Sequence, residues 1–199
     1  FLSEAQTVFE YPEPIHIKSI QFFGSNKYKN FPLVELGEKI TLTFDDLRGE
    51  ENDFYYKIKH FNHDWTPSLL FQNEFLEGLD NLRIEKYRTS FNTLQTYTNY
   101  RLEIPNENIK LKVSGNYILE IYDVFDELVF SRKFCVYENI SNVQVSVFRS
   151  QNMNNYSTHQ SIHFAVTPLQ EVLINAQENV FVRLLQNRQW DSEITGLKP

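Results

Sequence analysis

Two short clusters hold most of the side chains that could do chemistry in this sequence. Asp45 and Asp46 stand side by side after the alternating run 40–44, and paired carboxylates can serve acid–base catalysis or bind a cation. Neighbouring side chains of a strand point to opposite faces, so this pair is poorly placed to act on one substrate. An Asp at a strand end more often hydrogen-bonds its own backbone in a turn, and we interpret the pair in that way.

The second cluster runs from His60 to Trp65, in the order His-Phe-Asn-His-Asp-Trp. His60, His63 and Asp64 carry zinc-binding atoms, but strand residues three apart face opposite ways, so one ion could use both histidines only across a turn. A hydrogen-bonded turn with Trp65 as its lid is the simpler interpretation. Trp65 and the 11 tyrosines also leave open a sugar-stacking platform or a protein interface.

Several function classes are disfavoured by the composition. The 199 residues include 6 glycines and none of the motifs GxSxG, HExxH, GxGxxG or the P-loop, so we predict no catalytic residues, no cofactor, no metal and no enzymatic activity. A small-molecule ligand is not favoured either. The net charge of -7 lacks the basic footprint of a nucleic-acid-binding protein. Because no run approaches about 18 apolar residues, we expect no direct membrane insertion.

Hydrophobic residues alternate with a period of two along most of the chain, which predicts strands. The 15% aromatic content agrees, because aromatic residues favour strands. The segment 68–76 could form one turn of helix or a loop crossing, and 111–117 has the pattern of a tyrosine corner, which ties two sheets together. The predicted strands are 15–23, 39–44, 54–61, 97–104, 115–122, 128–136, 143–148, 161–166 and 179–185.

These elements predict an all-β fold: an immunoglobulin-like antiparallel β-sandwich followed by part of a second β-sandwich domain. We place the N-terminal β-sandwich domain at 1–139 and a second β domain at 140–199. About 60 residues make a marginal core alone, so we expect the second domain to be incomplete and to continue beyond Pro199. The chain begins at Phe1 rather than Met, which suggests a signal peptide that was removed or omitted.

An ordered set of short motifs resembles the N-terminal part of the type IX secretion system plug protein family of Bacteroidota, formerly a domain of unknown function. The likeness spans about 15–199, and its specificity lies in the order of the motifs. Residues 186–192 are QNRQWDS, where the family pattern has a Gly before an Arg-Trp-Asp-Asn run. The motifs are LTFDDL at 42–47, YYKIKH at 55–60, DWTP at 64–67, SFNT at 90–93, YTNYRL at 97–102, SGNY at 114–117, RKF at 132–134, QN at 186–187 and WD at 190–191.

The resemblance implies a periplasmic protein that binds the outer-membrane secretion translocon barrel when the barrel is empty of cargo and seals its periplasmic mouth. It implies no catalysis, cofactor or metal. No motif of the family is assigned to the interface, so the candidates for partner binding are residues that recur in the family pattern. These candidates are Asp45, Asp46, His60, Asp64, Trp65, Asn92, Thr93 and Tyr97.

The rival hypothesis is a carbohydrate-binding β-sandwich of a bacterial outer-membrane glycan-utilisation system. It rests on Trp65 and on the excess of tyrosine, because aromatic rings stack on sugar faces. A line of exposed, coplanar aromatic rings in a groove favours sugar binding. A large patch at one loop end of the sandwich, without such a line, favours a protein partner.

Overall fold

A computed structural model describes residues 9–24, 31–150, 152–169, 175–187 and 189–197. The fold is all-β, as predicted, and the chain divides into two compact units at 1–138 and 139–199. No helix within the described ranges has the length and apolar character needed to cross a bilayer. The strands are β1 (Ile17–Gly24), β2 (Leu33–Glu35), β3 (Ile40–Asp46), β4 (Tyr55–Phe61), β5 (Leu76–Gly78), β6 (Leu82–Arg83), β7 (Lys86–Thr89), β8 (Thr98–Ile104), β9 (Ile109–Leu111), β10 (Gly115–Tyr122), β11 (Leu128–Tyr137), β12 (Ser141–Arg149), β13 (Gln160–Pro168), β14 (Val182–Leu184) and β15 (Ile194–Leu197).

The first unit is a sandwich of two sheets. One sheet has the strand order β1-β3-β8-β7 and the other has the order β2-β11-β10-β4-β6, while β5 and β9 form a separate antiparallel pair. All pairings in the two sheets are antiparallel except β2 with β11, which is parallel. The strand order is compatible with an immunoglobulin-like connectivity, which stays a prediction.

The core between the sheets follows from the alternation in the sequence. The Phe44 ring on β3 lies 5.2 Å, between centroids, from the Tyr100 ring on β8 of the same sheet. It also lies 5.2 Å from Phe54, the residue before β4, and 5.2 Å from Phe130 on β11 of the other sheet. All four side chains are buried. Burial of each such ring contributes about 2 kcal/mol or more, so this aromatic cluster is a main source of the sandwich's stability.

The predicted tyrosine corner is present. The Tyr117 hydroxyl on β10 donates a 2.7 Å hydrogen bond to the carbonyl oxygen of Val113, four residues upstream. The Tyr117 ring is fully buried and stacks on Phe134 of β11 with centroids 5.2 Å apart. This bond fixes the chain segment that enters β10 at one end of the sandwich.

The second unit contains two antiparallel ladders, β12 with β13 and β14 with β15. Val143, Val145 and Val147 alternate along β12, as the pattern predicts, but all three are exposed. The predicted strand at 179–185 is wrong in its first residues. Asn179 ends the helix α2 (Ala176–Asn179), and β14 is shorter than the prediction.

The other helical elements are short. Residues 68–76, for which the sequence left a helical turn or a loop open, contain the single turn α1 (Gln72–Phe75). Two 3-10 turns occur in the second unit, at Met153–Asn155 and Trp190–Ser192. Of these elements, α1 is the one that contacts a candidate residue, because its buried Phe75 stacks on His60 at the end of β4.

Candidate functional site

The eight candidate residues lie at opposite ends of the first unit. The last residue of β3 and the first residue of β4 lie at the same end of the sandwich, joined by loop 47–54. The C-terminal ends of these two strands are therefore separated by the length of the sandwich. We call the end with loops 47–54, 90–97 and 123–127 the loop end, and the end with turn 62–67 and residues 112–114 the turn end. The loop end holds Asp45, Asp46, Asn92, Thr93 and Tyr97, and the turn end holds His60, Asp64 and Trp65.

Asp46 is a structural carboxylate of the loop end. Its side chain is 0% exposed and accepts hydrogen bonds from Nε and Nη2 of Arg48 at 3.0 and 2.7 Å. The Asn52 side-chain amide donates to the same carboxylate at 3.0 Å. The hydrogen bonds that Arg48 donates to Asp46 raise the pKa of Arg48 above its ordinary value. Asp46 therefore holds loop 47–54 and presents no surface to a partner.

Asp45 points to the opposite face of β3, as the alternation of a strand requires. Its Oδ1 accepts a 2.6 Å hydrogen bond from the side-chain amide of Asn99, the residue paired with it on β8. Asp45 is half-buried on the outer face of its sheet. The two neighbouring carboxylates thus do not converge on one substrate, and they form no acid–base pair.

Loop 90–97 is ordered by its own hydrogen bonds. The Ser90 hydroxyl accepts from the backbone N–H of Tyr97 at 2.9 Å and from the Thr93 hydroxyl at 3.1 Å. The Thr93 hydroxyl also contacts the carbonyl oxygen of Gln95 at 2.7 Å, and Asn92 turns the chain with a φ of 55°. Asn92, Thr93 and Tyr97 therefore shape this loop, and whether they contact a partner stays a prediction.

The tip of loop 90–97 carries two apolar side chains that the sequence did not single out. Phe91 is 93% exposed and Leu94 is fully exposed. An apolar residue inside a strand-rich sequence is normally assigned to the core, so only the burial in the folded chain distinguishes these two. The SFNT motif places Phe91 between turn-forming polar residues, but it ends before Leu94 and does not by itself mark either side chain as exposed.

The turn end is built around Asp64 and Trp65. The Asp64 carboxylate accepts from the backbone N–H and the hydroxyl of Thr66 at 3.0 and 2.6 Å, and these bonds lower the pKa of Asp64. Trp65 has a φ of 63° and is 3% exposed, with the Lys133 ammonium 4.4 Å from its ring centroid. Trp65 is thus a buried lid on the turn, as the simpler interpretation had it.

His60 lies in an aromatic pocket at the end of β4. Its ring stacks on Phe75 at 5.6 Å and meets Tyr117 edge-on at 4.9 Å. Its Nε2 is 3.4 Å from the carbonyl oxygen of Ser114, while its buried Nδ1 has no hydrogen-bond partner among the residues that the structure describes. Burial lowers the pKa of His60. A Cβ on Gly115 would lie 2.3 Å from Nε2, so this ring depends on a glycine beside it.

The polar candidate residues do not converge on one centre within the described ranges. In the part of the chain that the structure describes, no group of three or more His, Cys, Asp or Glu side chains could hold a metal ion. His60 and Asp64 belong to separate environments, one aromatic and one solvent-facing. The Cys135 thiol donates to the Asn116 side-chain oxygen at 3.0 Å.

The comparisons with known proteins point to one family. Residues 17–138 match the family described as "Type 9 secretion system plug protein 1st domain". A crystal structure of a hypothetical protein from Parabacteroides merdae ATCC 43184 superposes with a TM-score of 0.87 at 29% sequence identity. The match covers 96% of this chain and 49% of that chain, so this chain spans about half the length of that relative.

A second solved structure superposes poorly on this chain. The alkylpurine DNA glycosylase AlkC of Pseudomonas fluorescens, bound to DNA with an abasic site analog, reaches a TM-score of 0.31 at 13% identity, over 60% of this chain and 29% of that chain. No curated protein matches. The family match covers more than half of the chain and includes both sheets of the sandwich together with all eight candidate residues. The chain therefore belongs to the type 9 secretion system plug protein family.

Proposed function

We propose that this protein is a periplasmic plug of Bacteroidota type IX secretion. It binds the periplasmic mouth of the outer-membrane translocon barrel when no cargo occupies the barrel, and it seals that mouth against leakage. The observation that carries the proposal is the family match over 17–138. The family indicates a role in secretion without catalysis, and the barrel as direct partner is the step that we add.

The architecture is suited to such a role. A plug must be rigid, folded when unbound and able to release. The sandwich supplies a rigid body, because its aromatic core and ion-paired loop 47–54 fix both the sheets and the loop end. Loops on a rigid β-scaffold commonly carry the contacts of binding proteins. The net charge of -7 favours solubility in the unbound state.

Trp65, one of the two features behind the carbohydrate-binding hypothesis, is not available to a ligand. Trp65 is 3% exposed and covered by Lys133, so its ring cannot stack on a sugar. Tyr100 and Tyr117 are fully buried in the core. The tyrosine content thus reflects, in these positions, the interior of the sandwich rather than a binding groove.

The proposal is tested by affinity capture from membranes of the native organism. The full-length tagged protein is incubated with solubilised membranes, and the bound proteins are identified by mass spectrometry. We expect the translocon barrel to be recovered with the tagged protein and to be absent when the same protein is untagged. Capture of no barrel, together with binding to a glycan array, would overturn the plug role in favour of sugar binding.

A further inference from the structure

Two large apolar side chains stand in solvent on an ordered loop. Phe91 is 93% exposed and Leu94 is fully exposed at the tip of loop 90–97. Burying such side chains against a partner is favourable, and aromatic residues are enriched at the centres of protein interfaces. We propose that the loop end, through Phe91 and Leu94, is the surface that docks on the translocon barrel. This inference rests on the proposed function.

Hydrogen bonds already order loop 90–97 in the unbound protein. The Gln95 side-chain amide donates to the carbonyl oxygen of Leu47 at 2.9 Å, which ties loop 90–97 to loop 47–54. The Tyr97 N–H and the Ser90 hydroxyl close the base of the loop at 2.9 Å. A loop that is already ordered loses little conformational freedom when it binds, so more of the contact energy appears as affinity.

The charge beside the tip indicates the chemistry of the partner. Arg88 precedes the loop on the edge strand β7, shares the outer face of the sheet with Lys86 and Arg101, and forms no ion pair with any residue in the described ranges. Glu103 is already engaged by Lys86 and Arg101. Loops 47–54 and 123–127 of the same end carry carboxylates instead, at Glu50, Glu51, Asp53, Asp123, Asp126 and Glu127. The fitting surface is therefore an apolar pocket with a carboxylate opposite Arg88 and basic groups opposite the two acidic loops.

A second loop of the same end repeats the arrangement. Phe125 is exposed at the tip of hairpin 123–127. The Asp123 carboxylate holds this hairpin by accepting from the backbone N–H of Phe125 at 2.9 Å and of Glu127 at 3.0 Å. Two ordered loops at one end each present an exposed phenylalanine, which gives the loop end more than one anchor for a single partner.

The turn end provides a matched control. Leu69 and Phe71 are also exposed, and like Phe91 and Leu94 they share one segment. That segment lies at the opposite end of the sandwich. Substituting them removes the same kind of apolar surface as substituting Phe91 and Leu94. If non-specific hydrophobic association caused the capture, both pairs of substitutions would reduce barrel recovery equally. If the loop end is the docking surface, only the substitutions at Phe91 and Leu94 should reduce it.

The test compares three tagged full-length proteins in the membrane capture: wild type, F91S/L94S and L69S/F71S. Both variants should unfold within about 2 °C of the wild type, because exposed substitutions rarely change stability. We expect F91S/L94S to lower barrel recovery at least tenfold and L69S/F71S to leave it unchanged. Arg88→Glu should weaken capture at low salt, and the difference should shrink at high salt.

Each other outcome overturns the inference in a recognisable way. Wild-type recovery by F91S/L94S, with loss in L69S/F71S, would move the contact to the turn end and leave the plug role standing. No barrel captured by the wild type itself would remove the proposed function, and the inference with it. Binding of the wild type to vesicles of phosphatidylethanolamine and phosphatidylglycerol, abolished in F91S/L94S, would assign the tips to a membrane surface instead.

Discussion

The Arg48 guanidinium lies 2.7 Å from the carboxylate of Asp46, two residues earlier in the chain, and the two groups differ sharply in burial. The Asp46 side chain is 0% exposed and the Arg48 side chain is 46% exposed. Arg48 can turn into water if the pair is broken, but Asp46 cannot. The two partners are therefore unequal in what their removal costs.

Arg48→Met should destabilise the protein by about 3 kcal/mol, because it leaves a buried carboxylate whose remaining donors, within the described residues, are the Asn52 amide and the backbone N–H of residue 48. Asp46→Asn should cost less, and the double variant should recover part of the loss. Urea unfolding of the three variants and the wild type measures this cycle. Equal losses in the two single variants would contradict the asymmetry.

Tyr117→Phe removes the hydroxyl that donates to the carbonyl oxygen of Val113 while keeping the ring in the core. We expect a loss of about 1 kcal/mol in the free energy of unfolding. Tyr55→Phe is the control, since the Tyr55 hydroxyl makes no hydrogen bond to any residue in the described part of the chain, and its effect should stay within about 0.5 kcal/mol. A Tyr117→Phe effect no larger than the control would mean that the corner bond adds nothing.

The burial of His60 predicts a pH dependence of stability. Burial lowers the pKa of His60 below the ordinary 6.5, so the unfolded chain takes up a proton first as the pH falls. The free energy of unfolding should be insensitive to this group above the ordinary pKa of 6.5, and it should decrease as the pH falls below 6.5 towards the lower pKa of the folded chain. Burial lowers the pKa of His16 as well, so it adds to the same slope.

Replacing His60 with Phe keeps a ring against Phe75 and Tyr117 but removes the titrating group. Urea midpoints measured between pH 7.5 and 5.5 should fall less steeply for His60→Phe than for the wild type, and least steeply for H16Q/H60F. An unchanged slope in His60→Phe would show that the ring is protonated as easily in the folded chain as in the unfolded one.

A second pH dependence belongs to Glu103. Hydrogen bonds from Lys86 and Arg101 lower the pKa of Glu103 from 4.5 to about 2. Its contribution to stability is present above pH 4.5 and is lost as the pH falls towards 2. Glu103→Gln should flatten this acid limb, and about 1 M NaCl should reduce the difference between the two proteins, because the cationic partners are exposed. A difference that salt does not change would point to a role other than charge pairing.

The longer strands could be predicted from the sequence because alternation over six or more residues is a strong signal. β4, β8, β10 and β11 all match their predicted segments closely. The strands β2, β5, β6, β7, β9 and β15 have four residues or fewer, too short for a period of two to be distinguished from chance. Their pairing depends on neighbours that are distant in the chain.

The candidate site was less accessible from the sequence. Residues that recur in a family include those that hold the fold, and sequence alone does not separate them from surface contacts. Asp46 and Trp65 belong to the fold, since both are buried. Phe91 and Leu94 belong to the surface, although apolar residues are expected inside. Burial, which decides both cases, is a property of the whole chain and not of the motif.

The parallel pairing of β2 with β11 bears on how the first unit responds to force. Leu33, Val34 and Glu35 lie alongside Cys135, Val136 and Tyr137 and run in the same direction, with the Leu36 N–H bonded to the Tyr137 carbonyl oxygen at 2.8 Å. Tension between the N-terminal side of β2 and the C-terminal side of β11 loads these hydrogen bonds in shear, all at once. Such a clamp resists pulling far better than strands that unzip one bond at a time.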